Sequence, residues 1–128
     1  MTSPHKGRPG IQRLWNALLY ALDGFAAAFK YEDSFRLEVV LALALIPLAL
    51  SMHIGAPGKA LLIGSVLLVL IVELINSAIE AITDRVSLEN HVLAKRAKDL
   101  GSAAVMLSIV NTVAVWLIVL FGGEWTPH

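Results

Sequence analysis

The chain has 128 residues, 57% of them hydrophobic, with ten basic side chains balanced by ten acidic ones. That length leaves no room for a second domain, and so high an apolar fraction is unlike an ordinary water-soluble protein. Zero net charge argues neither for nor against nucleic acid, so the placement of the charges matters more than their sum, and the lack of cysteine excludes disulfides and thiolate metal sites.

Residues 1–10, "MTSPHKGRPG", are polar and rich in helix breakers, and read as a disordered tail. They lack the apolar core of a signal peptide, so no cleavage is expected. From Ile11 the apolar positions Ile11, Leu14, Trp15, Leu18, Leu19, Leu22, Phe25 and Phe29 recur in steps of three and four, while Arg13, Asn16, Tyr20 and Asp23 lie elsewhere on the wheel. This pattern predicts an amphipathic helix over 11–30, lying on a membrane surface. "YEDSFRLE" (Tyr31–Glu38) is a charged junction in which Asp33 or Ser34 is placed to cap the next helix. A first span is expected over about 35–53, kinked at Pro47. "HIGAPGK" (His53–Lys59) reads as a tight turn. A second span follows over about 60–86. "SLENHVLAKRAKD" (Ser87–Asp99) reads as a polar connection with helical character, before a third span over about 98–121. The expected fold is an all-α membrane protein: one unit over 11–128, with three transmembrane helices and an N-terminal surface helix.

Lys6, Arg8, Arg13, Lys30 and Arg36 precede the first span, and Arg85, Lys95, Arg96 and Lys98 lie between the second and third; Lys59 alone falls on the opposite side. Basic loops stay cytoplasmic. The N-terminus and the 86–99 loop are therefore expected inside, and the C-terminus outside.

The segment that carries chemistry is "VELINSAIEAITDR" (Val72–Arg85), which puts three carboxylates into an apolar helix. At 100° per residue, Asn76, Ser77, Glu80, Asp84 and Ser87 all fall within about 60° of Glu73. Leu74, Ile75, Ala78, Ile79 and Ile82 keep the opposite face apolar. A charge deep in a bilayer costs at least about 2.5–3.5 kcal/mol, so such a stripe must face other helices and be neutralised in part by a cation or a proton. Two uses follow: carboxylates can hold Mg²⁺, which often bridges protein to phosphate, and a carboxylate kept from water can serve as a general base. Glu73 lies deepest and is the candidate base; Glu80, nearer water, is the candidate metal ligand. The plainer alternative is that these groups, Asn76 and Ser77 above all, hold helices together in an oligomer. Asp84 with Arg85 also fits a solvated helix end, and Asn111 reads as interhelical glue. In "KRAKDLGSAAV" (Lys95–Val105), Lys98 and Asp99 sit where the third span enters the membrane, and a cation there suits β- and γ-phosphates. Lys95 and Arg96 need be no more than anchors, and Gly101, Ser102, Ala103 and Ala104 permit close helix approach. His91, beside Glu89 and Asn90, is placed to touch a nucleotide or simply to be solvated. No GxxxxGK[ST] loop, GxGxxG run or HRD- or DFG-like set is present.

"VELINSAIEAITDR" and "AKDLGSAAV", with Glu32, Phe35, Arg36 and Glu38 of the junction in an E-x-x-F-R-x-E arrangement, resemble the small integral-membrane diacylglycerol kinases of bacteria over roughly residues 11–121. The "SAAV" ending is more similar to that branch than to the undecaprenol kinases. The resemblance implies a homotrimer in the bacterial inner membrane, with a periplasmic C-terminus and active sites shared between subunits. It implies transfer of the ATP γ-phosphate to the hydroxyl of diacylglycerol, giving phosphatidic acid and ADP, with Mg²⁺ as cofactor and no nucleic-acid partner. By matched position, Glu73 would take the hydroxyl proton and Asn76 would orient it. Glu32 and Glu80 would hold the metal. Lys98 and Asp99 would contact ATP, with Tyr20, Glu89, Asn90 and His91 around the nucleotide. Arg13, Glu38, Ser102 and Trp116 would meet the lipid. Two positions depart from the family pattern: Ala21 stands where a Ser is expected, and Asp23 where a basic or neutral residue is common. The competing expectations are a polyprenol kinase, a small proton or ion carrier relaying through Glu73, and a non-catalytic oligomeric scaffold.

Overall fold

The computed structural model describes residues 10–86 and 91–122. They form four helices: α1 (Gly10–Tyr31), α2 (Asp33–Ser51), α3 (Ala56–Val86) and α4 (His91–Phe121). The last three are long and apolar enough to cross a membrane. The expected architecture is therefore the observed one. The tail expected over 1–10 lies outside the described residues except for Gly10, which opens α1.

α3 is the central element, with α2 and α4 packed against it. Its buried stripe is Leu62, Val66, Val69 and Glu73, spaced by four, three and four residues. Small residues meet it: Ala42 and Ala49 are buried on α2, and Ala94, Gly101 and Ser108 on α4. Lipid tails are as apolar as leucine, so helices in a membrane associate through such close approaches and through polar bonds rather than through the hydrophobic effect. Two of those bonds run from α4 to main-chain carbonyls of α3: Thr112 Oγ1 donates to Ser65 O at 3.0 Å, and the Trp116 indole N–H donates to Leu62 O at 3.3 Å. Asn111, read as interhelical glue, is exposed in this chain, and the bond to α3 is made by its neighbour Thr112. Adjacent helix positions differ by about 100°, and only the packing decides which of them meets α3.

The face of α1 that the periodicity marks as apolar does not pack on the rest of the chain. Ile11 is 82% exposed and Leu14 72% exposed, and Ala28 is the buried residue of this helix. An uncovered apolar stripe opposite polar residues suits a helix lying in a lipid interface.

Two helix boundaries differ from the expectation. Neither Asp33 nor Ser34 caps α2; the N-cap is Glu32, in extended backbone (φ −117°, ψ 108°) and without a side-chain cap bond. Asp33 is already helical and pairs with Arg36. α2 runs through Pro47 without interruption. The turn expected over 53–59 is shorter, because Ala56, Pro57, Gly58 and Lys59 already form the first turn of α3, where a proline lacks no bond it would otherwise make. Lys59 reaches back to donate to Leu50 O at 2.9 Å, closing the corner between α2 and α3. α4 runs from His91, so the stretch from His91 to Asp99 is helical, in keeping with the helical character expected of it. Hydropathy marks the slab of lipid a helix crosses, not where the helix stops.

At 1.5 Å per residue, the 31 residues of α3 and of α4 outrun the 19 of α2 by about 18 Å. The start of α3 lies level with the end of α4: a Cβ on Gly58 would stand 3.3 Å from Val119 Cγ1. The overhang is therefore at the other end, where α3 finishes and α4 begins. That end carries the acidic stripe.

Candidate functional site

Glu73 is buried, 6% exposed, and continues the same stripe that packs α3 into the bundle. Its neighbours along the stripe, Asn76, Ser77 and Glu80, are half-buried, and Asp84 is exposed. The stripe thus runs from the interior of the bundle toward water, in the order the sequence predicts. Two further carboxylates come to it from other elements. Glu32, half-buried at the α1–α2 corner, and Glu80 both lie within electrostatic reach of Glu73, and so does Glu38 of α2. Glu32 and Glu38 enter the sequence reading only through resemblance, and the fold brings both of them to Glu73.

Asn76 sits where α4 comes closest. Gly101 is buried directly against it, and a Cβ at that position would collide with Asn76 Oδ1. The Asn76 amide nitrogen donates to Glu80 Oε2 at 3.4 Å. Glu80 stands one helical turn on from Asn76, and Glu73, which the resemblance pairs with this amide, one turn back. Asn76 Oδ1 and Glu38 Oε1 are both buried without a hydrogen-bond partner among the described residues. Such atoms are costly to leave unpaired and are natural positions for a ligand to complete.

Two ion pairs lie on the overhanging ends of α3 and α4. Lys98, half-buried on α4, meets Asp84 of α3 at 2.8 Å, tying the two overhanging ends together. Lys95 meets Asp99 at 2.7 Å on the same turn of α4. Lys98 therefore stands beside the acidic stripe, whereas Asp99 is exposed and engaged by its own helix. His91 is exposed at the start of α4, Ser102 is exposed on α4, and Arg13 and Tyr20 are exposed on α1. Glu89 and Asn90 lie outside the described residues.

Two apolar clefts open beside the carboxylates. A groove of about 240 Å³ lies between α2 and α4, with Leu37, Glu38, Leu41 and Leu45 on one wall, Ile109, Thr112 and Val113 on the other, and Val66 and Val69 as its floor. It continues past Leu45 and Thr112 to Trp116 and Leu117. Trp116 lines its far end while its indole N–H is held by α3. The second cleft, about 600 Å³, separates α1 from α3 and is lined by Ala21, Gly24, Phe25 and Ala28 on one side and by Leu74, Ser77 and Ala81 on the other, with Glu32 at the corner. Ala21, one of the two departures from the family pattern, faces this cleft.

Among the described residues no three histidine, aspartate or glutamate side chains come together as a complete metal site. Glu32 and Glu80, both within electrostatic reach of Glu73, supply two hard oxygen donors. That set suits an ion such as Mg²⁺, which takes one or two carboxylates and completes its shell with substrate phosphates and water.

The sequence model of the prokaryotic diacylglycerol kinase family matches residues 19–120. The chain belongs to this family. It is 49% identical over 120 residues to the diacylglycerol kinase of Pseudomonas aeruginosa, covering 94% of this chain and 98% of the relative. With the diacylglycerol kinase of Escherichia coli K12 it shares 45% identity over 112 residues, covering 88% and 92%. With that of Helicobacter pylori 26695 it shares 41% over 107 residues, covering 84% of each. The part matched as diacylglycerol kinase takes in all four clustered carboxylates, Lys98 and Trp116, and begins after Arg13.

Proposed function

We propose that this chain is an ATP-dependent diacylglycerol kinase, an integral-membrane enzyme that makes phosphatidic acid and ADP. The observation that carries the reading is the buried Glu73, crowded by three other carboxylates, one of which, Glu38, lines the apolar groove, in a chain of this family. In the reaction Glu73 takes the proton of the lipid hydroxyl. The freed oxygen forms a bond to the γ-phosphorus of ATP, the bond from that phosphorus to the β–γ bridging oxygen breaks, and ADP leaves with the electron pair. Phosphoryl transfer of this kind needs alignment and charge neutralisation more than a special nucleophile. Lys98 supplies a cation to the phosphates once it is released from Asp84. Asn76 steadies Glu80. Tyr20, Glu89, Asn90, His91 and Asp99 surround the nucleotide, while Arg13, Glu38 and Ser102 meet the glycerol end of the lipid, and Trp116 lies along an acyl chain.

Glu32 and Glu80 would hold Mg²⁺, which when bound neutralises charge on the β- and γ-phosphates. Glu80→Gln is expected to move the midpoint of a Mg²⁺ titration of activity upward by about tenfold or more. An unchanged titration would remove Glu80 from that role.

The enzyme is placed in the bacterial inner membrane with the overhang of α3 and α4 in the cytoplasm, in keeping with the basic residues on that side. The working unit is a homotrimer with active sites shared between subunits. Support comes from Ser102, Ala103 and Ala104, exposed small residues on α4 that suit close approach by another helix.

The test is transfer of label from [γ-³²P]ATP into a chloroform-soluble product by the purified protein, with diacylglycerol and undecaprenol offered separately. Labelling of diacylglycerol is expected. Labelling of undecaprenol alone would reassign the acceptor, and no labelled lipid with either alcohol would end the kinase reading.

A further inference from the structure

α1 leans on the rest of the chain chiefly through α2. The 600 Å³ cleft beneath it means that side-chain packing against α3 does not fix its angle. Something at the α1–α2 corner has to. The break there is a single residue, Glu32, and the main chain almost carries the helix through it: Glu32 N–H donates to Ala28 O at 2.9 Å, and Arg36 N–H donates to Glu32 O at 3.2 Å. A one-residue break with extended dihedrals is a hinge unless it is braced.

The brace is Arg36. Its Nη1 donates to Phe29 O at 2.7 Å and to Lys30 O at 2.9 Å, and its Nη2 pairs with Asp33. The last carbonyls of a helix have no partner within the helix, and a cation there also meets the negative end of the helix dipole. The planar guanidinium has enough donors in a fixed fork to engage both carbonyls while holding a carboxylate. Phe29 and Lys30 belong to α1, whereas Arg36 and Asp33 belong to α2, so one side chain bolts two helices across the hinge. The ion pair is the lesser part of the device, since the Asp33 side chain is 91% exposed and such pairs contribute little.

We propose that Arg36 is a positioning residue that sets the angle of α1 over the bundle, and with it the width of the α1–α3 cleft and the pose of Glu32 toward Glu73. Arg36 touches neither substrate. It acts through the helix it holds. Its kinetic consequence rests on the kinase reading above; its structural consequence does not.

The experiment uses the absence of cysteine from the chain. Spin labels are placed at Ala17 on α1 and Ile82 on α3, both exposed, and the labelled chain is diluted into unlabelled chain in bilayers so that distances within one chain are read. The parent is expected to give one narrow distance distribution. Arg36→Ala is expected to widen it at least about twofold, and to lower kcat by about ten- to a hundredfold, as misplacement of a reacting group by about 1 Å does. Arg36→Lys, which lacks the fork, should fall between the two, and Asp33→Asn should match the parent in both readouts. A distribution unchanged in Arg36→Ala overturns the proposal, whether or not the melting temperature falls, because a merely structural arginine would lower stability without freeing α1. If Arg36→Ala does not fold, Arg36→Lys and Arg36→Gln decide the matter on the same distances. A parent that phosphorylates no lipid defeats the kinase reading and leaves the distance measurement to judge Arg36 alone.

Discussion

Glu73→Gln is expected to slow phosphoryl transfer by at least about a hundredfold while leaving assembly intact. Glutamine keeps the shape and volume of the side chain and removes its capacity to accept a proton. The fold should tolerate the change, because Glu73 is buried among carboxylates and its charge is opposed by Glu32, Glu80 and Glu38 rather than balanced by them. Deleting that charge relieves repulsion in a place where water cannot screen it. Loss of labelled phosphatidic acid together with unchanged oligomer size by light scattering is the expected pair of results. A variant with near parental turnover would remove Glu73 as the base. A variant that is inactive and also fails to assemble would instead favour a scaffold role.

Gly101→Ala is expected to lower stability through one added methyl group. The new Cβ would run into Asn76 Oδ1 and stand 3.2 Å from Asn76 Cγ, so either the amide turns away or α4 backs off from α3. Overpacking of this kind costs about 1–3 kcal/mol. The damage should also travel, because the amide nitrogen of Asn76 is the group bonded to Glu80. A weaker response to Mg²⁺ is therefore expected alongside a lower unfolding midpoint. Asn76→Ala in the same chain removes the obstacle, and the double variant should be more stable than the sum of the single losses requires, with a coupling of about 0.5–3 kcal/mol. Thermal unfolding of the four proteins in one detergent measures it, and strictly additive losses would show that α4 does not press on Asn76.

What could be read from the sequence, and what could not, divides along physical lines. Glu73, Glu80 and Asp84 share a stripe because a helix repeats every 3.6 residues, and that period alone orders them from buried to exposed. The membrane-facing side of α1 follows from the same arithmetic. Lys98 was legible as a cation at a membrane boundary, but its pairing with Asp84 needs the fold. A helical period also cannot say which neighbour an amide bonds: Asn76 lies one turn from both Glu73 and Glu80, and its nitrogen donates to Glu80. Thr112 rather than Asn111 meets α3 for a similar reason. Glu32 and Glu38 carry no periodic signal linking them to Glu73, since they sit on other elements, and resemblance alone had marked them. Arg36 was visible as part of that resemblance and as one of the basic residues before the first span, and its reach back to two carbonyls of the preceding helix has no mark in the sequence.

The unequal lengths of the helices have a consequence for how two unlike reactants meet. A triphosphate belongs to water and a long-chain alcohol to oil, and neither crosses readily into the other's phase. Because α3 and α4 rise beyond α2 at one end only, the polar part of the stripe, from Asn76 to Asp84, extends past α2, while the oily groove that starts beside Glu38 runs the other way. Each reactant can arrive by its own route and stay in its own solvent until the moment of exchange.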